Sequence, residues 1–162
     1  MRQKRVMKIK GIELLDFVNY KKPSVFVAFP RCSFKCDREN GVQMCQNRGL
    51  DLQPDIDISM YELVDTILRA PVAEAIVIGG LEPFDSENDL LALVGALRYQ
   101  TDKDIVIYTG YTEEELWRQI SILKKYLNII IKFGRFRPNQ TPHFDEVLGV
   151  NLASDNQYAK KI

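Results

Sequence analysis

The chain has 162 residues, of which 46% are hydrophobic and 27% charged, with 22 basic and 22 acidic side chains. That length suffices for one domain with a sizeable core and is short for two, so residues 1–162 read as a single domain. Zero net charge excludes a strongly cationic nucleic-acid footprint, and no apolar run approaches a membrane span.

The basic opening (Arg2, Lys4, Arg5, Lys8, Lys10) has no long apolar segment behind it. Neither an export signal nor an anchor is expected. The first predicted strand is Ser24-Val25-Phe26-Val27-Ala28-Phe29, followed by a cysteine loop and a polar, irregular stretch through Asp57. A helix is predicted from Ser59 to Ala70, where Ser59 and Glu62 form a capping-box pattern and Pro71 stops the run. Ala75-Ile76-Val77-Ile78 is the second strand and ends in Gly79-Gly80. A further helix is expected from about Ser86 to Tyr99, then a strand Ile105-Val106-Ile107-Tyr108 ending in Thr109-Gly110-Tyr111. Thr112 and Glu115 give a second capping box, opening a helix through about Tyr126 in which Leu116, Trp117 and Ile120 form the packed face. Ile129-Ile130-Ile131 makes another strand, and 147–152 a last one. Lys160 and Lys161 read as a solvated tail.

These strands are continuous β-branched runs, as expected where helices cover a parallel sheet. Repeated βα units give a doubly wound sheet or a partial barrel. Four or five units are too few to close eight strands, so the fold class is α/β, an open partial (β/α) barrel with mostly parallel strands.

All three cysteines, Cys32, Cys36 and Cys45, fall within 14 residues just past the first strand. A structural zinc site usually takes four ligands and a disulfide framework an even number. Three thiolates suit a cubane iron–sulfur cluster with one iron left open, since the closed form takes four. The alternatives are a zinc loop completed by His143 or an acid, and three incidental cysteines. His143, in a Pro-flanked loop far along the chain, reads as an ordinary surface histidine. With free, clustered cysteines, the reducing cytoplasm is the expected compartment. Gly79-Gly80-Leu81-Glu82-Pro83 and Thr109-Gly110-Tyr111 both stand at strand ends, where α/β folds place chemistry. Two glycines let backbone approach a ligand closely, and Glu82 offers an acceptor for a ligand ammonium. Ser154-Asp155-Asn156-Gln157 is by default a polar turn.

At these residues the chain resembles the radical S-adenosylmethionine superfamily, and within it the activating proteins of anaerobic ribonucleoside-triphosphate reductase. Residues 12–19 and the strand into the cysteines are similar to that family's opening segment, Cys45-Gln46-Asn47 to its C-x-N, and Gly79 to Pro83 to its glycine-glycine-acid-proline motif. Thr109-Gly110-Tyr111, Gly134-Arg135-Phe136 and Asn156-Gln157 resemble its T-G-Y, its Gly-x-Phe and its closing Asn-Gln. The chain departs from the superfamily's C-x3-C-x2-C: the second gap holds eight residues, Met44 replaces an aromatic, and Leu81 is an extra residue in the glycine motif.

The resemblance implies a radical S-adenosylmethionine barrel, with Cys32, Cys36 and Cys45 as ligands of a 4Fe–4S cluster and S-adenosylmethionine on the fourth iron. It places Gly79, Gly80 and Glu82 at the methionine ammonium, with Thr109 and Asn156 as further contacts. It implies reductive cleavage of S-adenosylmethionine and formation of a glycyl radical on a large anaerobic ribonucleotide reductase subunit or similar protein. A flavodoxin- or ferredoxin-type donor would supply the electron, with no nucleic acid or membrane involved. The competing readings are a radical enzyme acting on a small molecule or on another glycyl-radical enzyme, and a non-catalytic metal-stabilised binding module. The inserted residues 37–44 are expected to touch the partner or the adenosyl group. Their deletion should weaken partner binding or S-adenosylmethionine cleavage, and unchanged values of both would remove that role.

Overall fold

The computed structural model describes residues 4–41 and 47–162, so Cys45 lies outside the described residues. Four strands form a parallel set: β3 (Ser24–Phe29), β5 (Ala75–Gly80), β6 (Asp104–Tyr108) and β7 (Ile129–Phe133). Two antiparallel strands, β2 (Gly11–Asp16) beside β3 and β10 (Tyr158–Lys161) beside β7, edge the six-stranded sheet. The sheet is therefore mixed, and among the described residues it stays open. Lys160 and Lys161, expected as a solvated tail, pair with Ile131 and Ile130. Their ladder bonds saturate an edge of β7, and edge positions tolerate lysine because alternate side chains face water.

Period-two alternation sorts the parallel strands into two cores. Val25, Val27, Phe29, Ile76, Ile78, Ile105, Ile107, Ile129, Ile131 and Phe133 share one buried cluster with residues of α3 (Met60–Leu68), α4 (Glu87–Gln100) and α5 (Trp117–Leu123). The opposite face carries Ala75, Val77, Val106 and Ile130, packed with Tyr20, Leu148, Leu152 and Ala159. All three crossover helices thus cover one face. The other is left to loops, a hairpin and a cavity.

Two sequence expectations in the helices hold closely. The Ser59 hydroxyl accepts from the Glu62 amide at 3.1 Å while the Glu62 carboxylate accepts from the Ser59 amide at 3.2 Å, and α4 follows a 3-10 turn at Pro83–Ser86. The Thr112/Glu115 box also forms, but residues 113–116 make turns and α5 begins only at Trp117. Trp117 is 69% exposed, whereas Leu116 and Ile120 are buried. Leu116 and Ile120 are four residues apart and share a face, and Trp117 is turned about 100° from Leu116.

The segments read as irregular hold more structure than their composition suggested. β1 (Val6–Ile9) pairs antiparallel with β4 (Ile56–Ser59), and Met7 and Ile9 join the helix-side core. The strand expected over 147–152 is a hairpin, β8 (His143–Asp145) and β9 (Val150–Leu152). Its turn is fixed by the Asp145 carboxylate accepting the Leu148 amide at 2.9 Å. His143 is partly buried, with no partner for its Nδ1 among the described residues. Among those residues no helix is long and apolar enough to cross a membrane.

Leu93 is fully buried between α4 and the sheet. Leu93→Ala should cost about 2–5 kcal/mol through lost transfer energy and a residual cavity, read as a lowered urea midpoint at unchanged slope.

Candidate metal centre

The parallel strands end on one side of the sheet, and there the chain leaves β3 through Pro30 and Arg31 into Cys32. Phe34 adopts a left-handed backbone (φ 53°) that opens α1 (Lys35–Asn40), which contains Cys36. The Phe34 amide donates to the Cys32 sulfur at 3.2 Å, and the Ser33 amide donates to the Asp85 carboxylate at 2.7 Å. Asp85 also receives the Tyr111 hydroxyl. The Tyr111 ring lies under Lys35 at 4.4 Å and near the Arg135 guanidinium at 5.6 Å. Arg135 pairs with Glu115 at 2.7 Å and with Glu39 of α1 at 3.3 Å. The cysteine loop is therefore held from the β5, β6 and β7 ends at once.

The chain returns to the described residues at Asn47, whose side-chain amide donates to the Gly80 carbonyl at 2.9 Å. Asn47 precedes α2 (Arg48–Asp51), and Arg48 pairs with Asp37 at 2.7 Å and stacks on Phe34 at 3.8 Å. Asn47 and Arg48 are thus tied both to the β5 end and to α1. Among the described residues no three His, Cys, Asp or Glu side chains gather to hold a metal. Neither His143 nor a described acid completes a set with Cys32 and Cys36. Two thiols on one cavity, with the third cysteine a few residues along in the sequence, fit a cluster held by thiolates.

Gly80 has φ +90°, and a Cβ there would stand 2.8 Å from both Ala28 Cα and Phe29 N. That close approach requires glycine. A Cβ on Gly79 would reach the Phe26 ring at 3.1 Å. The extra Leu81 is absorbed by burial, and the Glu82 amide donates to the Arg31 carbonyl at 2.7 Å.

The buried Glu82 carboxylate faces inward rather than outward. One oxygen accepts from the Thr109 hydroxyl at 2.8 Å and the Phe84 amide at 3.1 Å, the other from the Gly110 amide at 2.8 Å. Burial raises its pKa from 4.5 to about 7, against these three donors. Thr109 in turn accepts the Tyr111 amide. Glu82 and Thr109, expected to contact a ligand, meet each other and pin the end of β5 to that of β6.

Cys32, Cys36, Asn47, Gly79, Gly80, Glu82 and Thr109 line a cavity of about 450 Å³. Asn156 lines a neighbouring groove, bonded to the Arg135 carbonyl at 2.8 Å and to Ser154. Its neighbour Gln157 lines the cavity instead.

A family model describing a 4Fe-4S single cluster domain matches residues 22–157, which takes in all three cysteines and both strand-end motifs. The chain belongs to the 4Fe-4S single cluster domain family. No curated protein and no solved structure gives a significant match.

One residue of this cluster domain's cavity escaped the sequence reading: Lys132, on β7. The signal was a lone charge inside the apolar run IIIKF, since a strand buried on both faces rarely admits lysine. Burial lowers its pKa to about 8.

Glu82 carries a pH dependence. Its folded pKa lies above its unfolded value, so the stability it contributes is present below pH 4.5 and is lost as pH rises through about 7. The stability difference between wild type and Glu82→Gln should therefore shrink over that window in urea titrations. A flat difference would show an ionised carboxylate throughout.

Proposed function

We propose that this iron–sulfur protein is a radical S-adenosylmethionine enzyme of the glycyl-radical-activating type. The observation that carries the reading is that Cys32 and Cys36 share one cavity with Gly79 and Gly80, while no described His, Asp or Glu completes a ligand set around them. The open sheet with its helices on one face suits a partial barrel of that superfamily, formed by residues 1–162 as one domain.

The thiolates of Cys32, Cys36 and Cys45 would hold the cluster, with Asn47 fixing the far end of their loop. When bound, the cluster supplies a low-potential electron and an open iron for the amino and carboxylate groups of S-adenosylmethionine. The Gly80 backbone, brought against β3 by its missing side chain, would border the methionine ammonium. Glu82 and Thr109 would act by holding that backbone, with any remaining carboxylate lone pair facing the ligand. Asn156 would act from the adjoining groove by holding Arg135.

A cavity of about 450 Å³ is at the size of a single cofactor-like ligand. The open sheet around it suits a reacting group presented by a protein at the mouth. That partner would be the large anaerobic ribonucleotide reductase subunit or a similar glycyl-radical protein, in an anaerobic cytoplasm with a flavodoxin- or ferredoxin-type donor.

Anaerobic reconstitution tests this. Wild type should bind about four irons and four sulfides and release 5′-deoxyadenosine on addition of dithionite and S-adenosylmethionine. Cys32→Ala, Cys36→Ala and Cys45→Ala should each abolish product. Product from the triple variant would refute the ligand set, and tight zinc without any product would refute the enzyme.

A further inference from the structure

Among the described residues other than glycine, Phe34, Asn128 and Asn139 adopt a left-handed backbone. Asparagine tolerates that conformation because its short side chain bonds locally, and a bulky aromatic does not. Phe34, at φ 53°, is therefore strained. It is also the residue that turns the chain from Cys32 into α1, which carries Cys36. Such strain persists only where the surroundings over-determine it, and it concentrates at functional sites.

Arg48 and Asp85 hold this turn from two sides. The Arg48 guanidinium stacks on the Phe34 ring at 3.8 Å. Asp85 accepts the Ser33 amide at 2.7 Å through one carboxylate oxygen and the Tyr111 hydroxyl through the other. Asp85 itself is placed by its own amide, which donates to the Glu82 carbonyl at 3.1 Å in the turn Pro83–Ser86. Ser33 is exposed, so water would satisfy its amide in the absence of Asp85, and folding does not require this bond. What the bond adds is position. It ties the residue between Cys32 and the strained Phe34 to the turns that follow β5 and β6.

We propose that Asp85 is a positioning residue for the metal loop, keeping the strained Cys32–Cys36 turn in its folded shape independently of metal. It acts through the Ser33 amide, as a hydrogen-bond acceptor rather than as a charge. The proposal rests on the cluster-domain family alone and is independent of the radical S-adenosylmethionine reading.

Metal-free wild type, Asp85→Ala and Asp85→Asn would be alkylated anaerobically with iodoacetamide for timed intervals. Adducts at Cys32 and Cys36 would be counted by peptide mass spectrometry. Hydrogen exchange of peptides spanning residues 31–36 and β6 would be followed in parallel. The same proteins, reconstituted with iron and sulfide, would be timed for iron release to a ferrous chelator. Asp85→Ala should label both thiols, and exchange residues 31–36, about tenfold faster than wild type, as for one lost hydrogen bond to a charged group. Both rates follow the open population of the turn. Its reconstituted form should also release iron faster, and exchange of β6 should not change. Asp85→Asn keeps an acceptor oxygen for Ser33 and should stay within about twofold of wild type.

Unchanged labelling or unchanged iron release in Asp85→Ala overturns the proposal. So does Asp85→Asn behaving like Asp85→Ala, because the carboxylate would then act on the thiols by its charge. Equal acceleration of exchange in residues 31–36 and in β6 overturns it as well, since Asp85 would then be a strut for the whole sheet.

Discussion

The Glu82 carboxylate takes three protein donors at the carboxyl ends of two adjacent parallel strands, and the cavity is assembled around that knot. Parallel strands meet only through distant crossovers, so nothing local fixes how their last residues align. A buried acid spanning from the turn after β5 to Thr109 and Gly110 fixes that alignment. The preceding peptide, through the Glu82 amide and the Arg31 carbonyl, then carries it to the mouth of the cysteine loop.

From that knot the loop is held by unlike interactions in sequence. Asp85 takes the Ser33 amide and the Tyr111 hydroxyl. Lys35 and Arg135 lie against the Tyr111 ring, and Arg135 reaches Glu39 of α1. Exposed ion pairs contribute little singly. Here Arg135 is largely shielded, and its pairs act with a ring contact and a backbone bond to orient one short helix. That orientation sets Cys36, within the helix, on the cavity that Cys32 also lines.

The cavity also holds two buried charges of opposite sign that do not neutralise each other directly. Glu82 is satisfied by donors, and Lys132 by carbonyls. Burial pushes both toward their neutral forms, the acid up to about 7 and the amine down to about 8. Such pairs concentrate where a site binds or transforms something. The protein carries this cost at the cavity, while Val25, Val27, Ile76, Ile78, Ile105, Ile107, Ile129 and Ile131 keep the helix-side face of the parallel strands apolar.

Much of the scaffold is legible in local sequence because its signals are local. β-branched runs mark the parallel strands, Ser59 with Glu62 marks a helix start, and three cysteines past a strand mark a metal loop. The family match to a 4Fe-4S cluster domain agrees with that last signal. The edge strands β2 and β10, the β8–β9 hairpin and the inward turn of Glu82 are not legible, since each depends on a partner brought from elsewhere in the chain. Lys132 lies between these cases. Its sequence context shows an anomaly, and only the register beside Tyr108 shows that the anomaly faces a cavity. Sequence by itself determined which residues have the chemistry to bind iron and sulfur, because that is a property of thiols and their number. Tertiary structure alone decided which charged groups share the space beside them, because a strand's face and its neighbours are set by pairing over long chain separations.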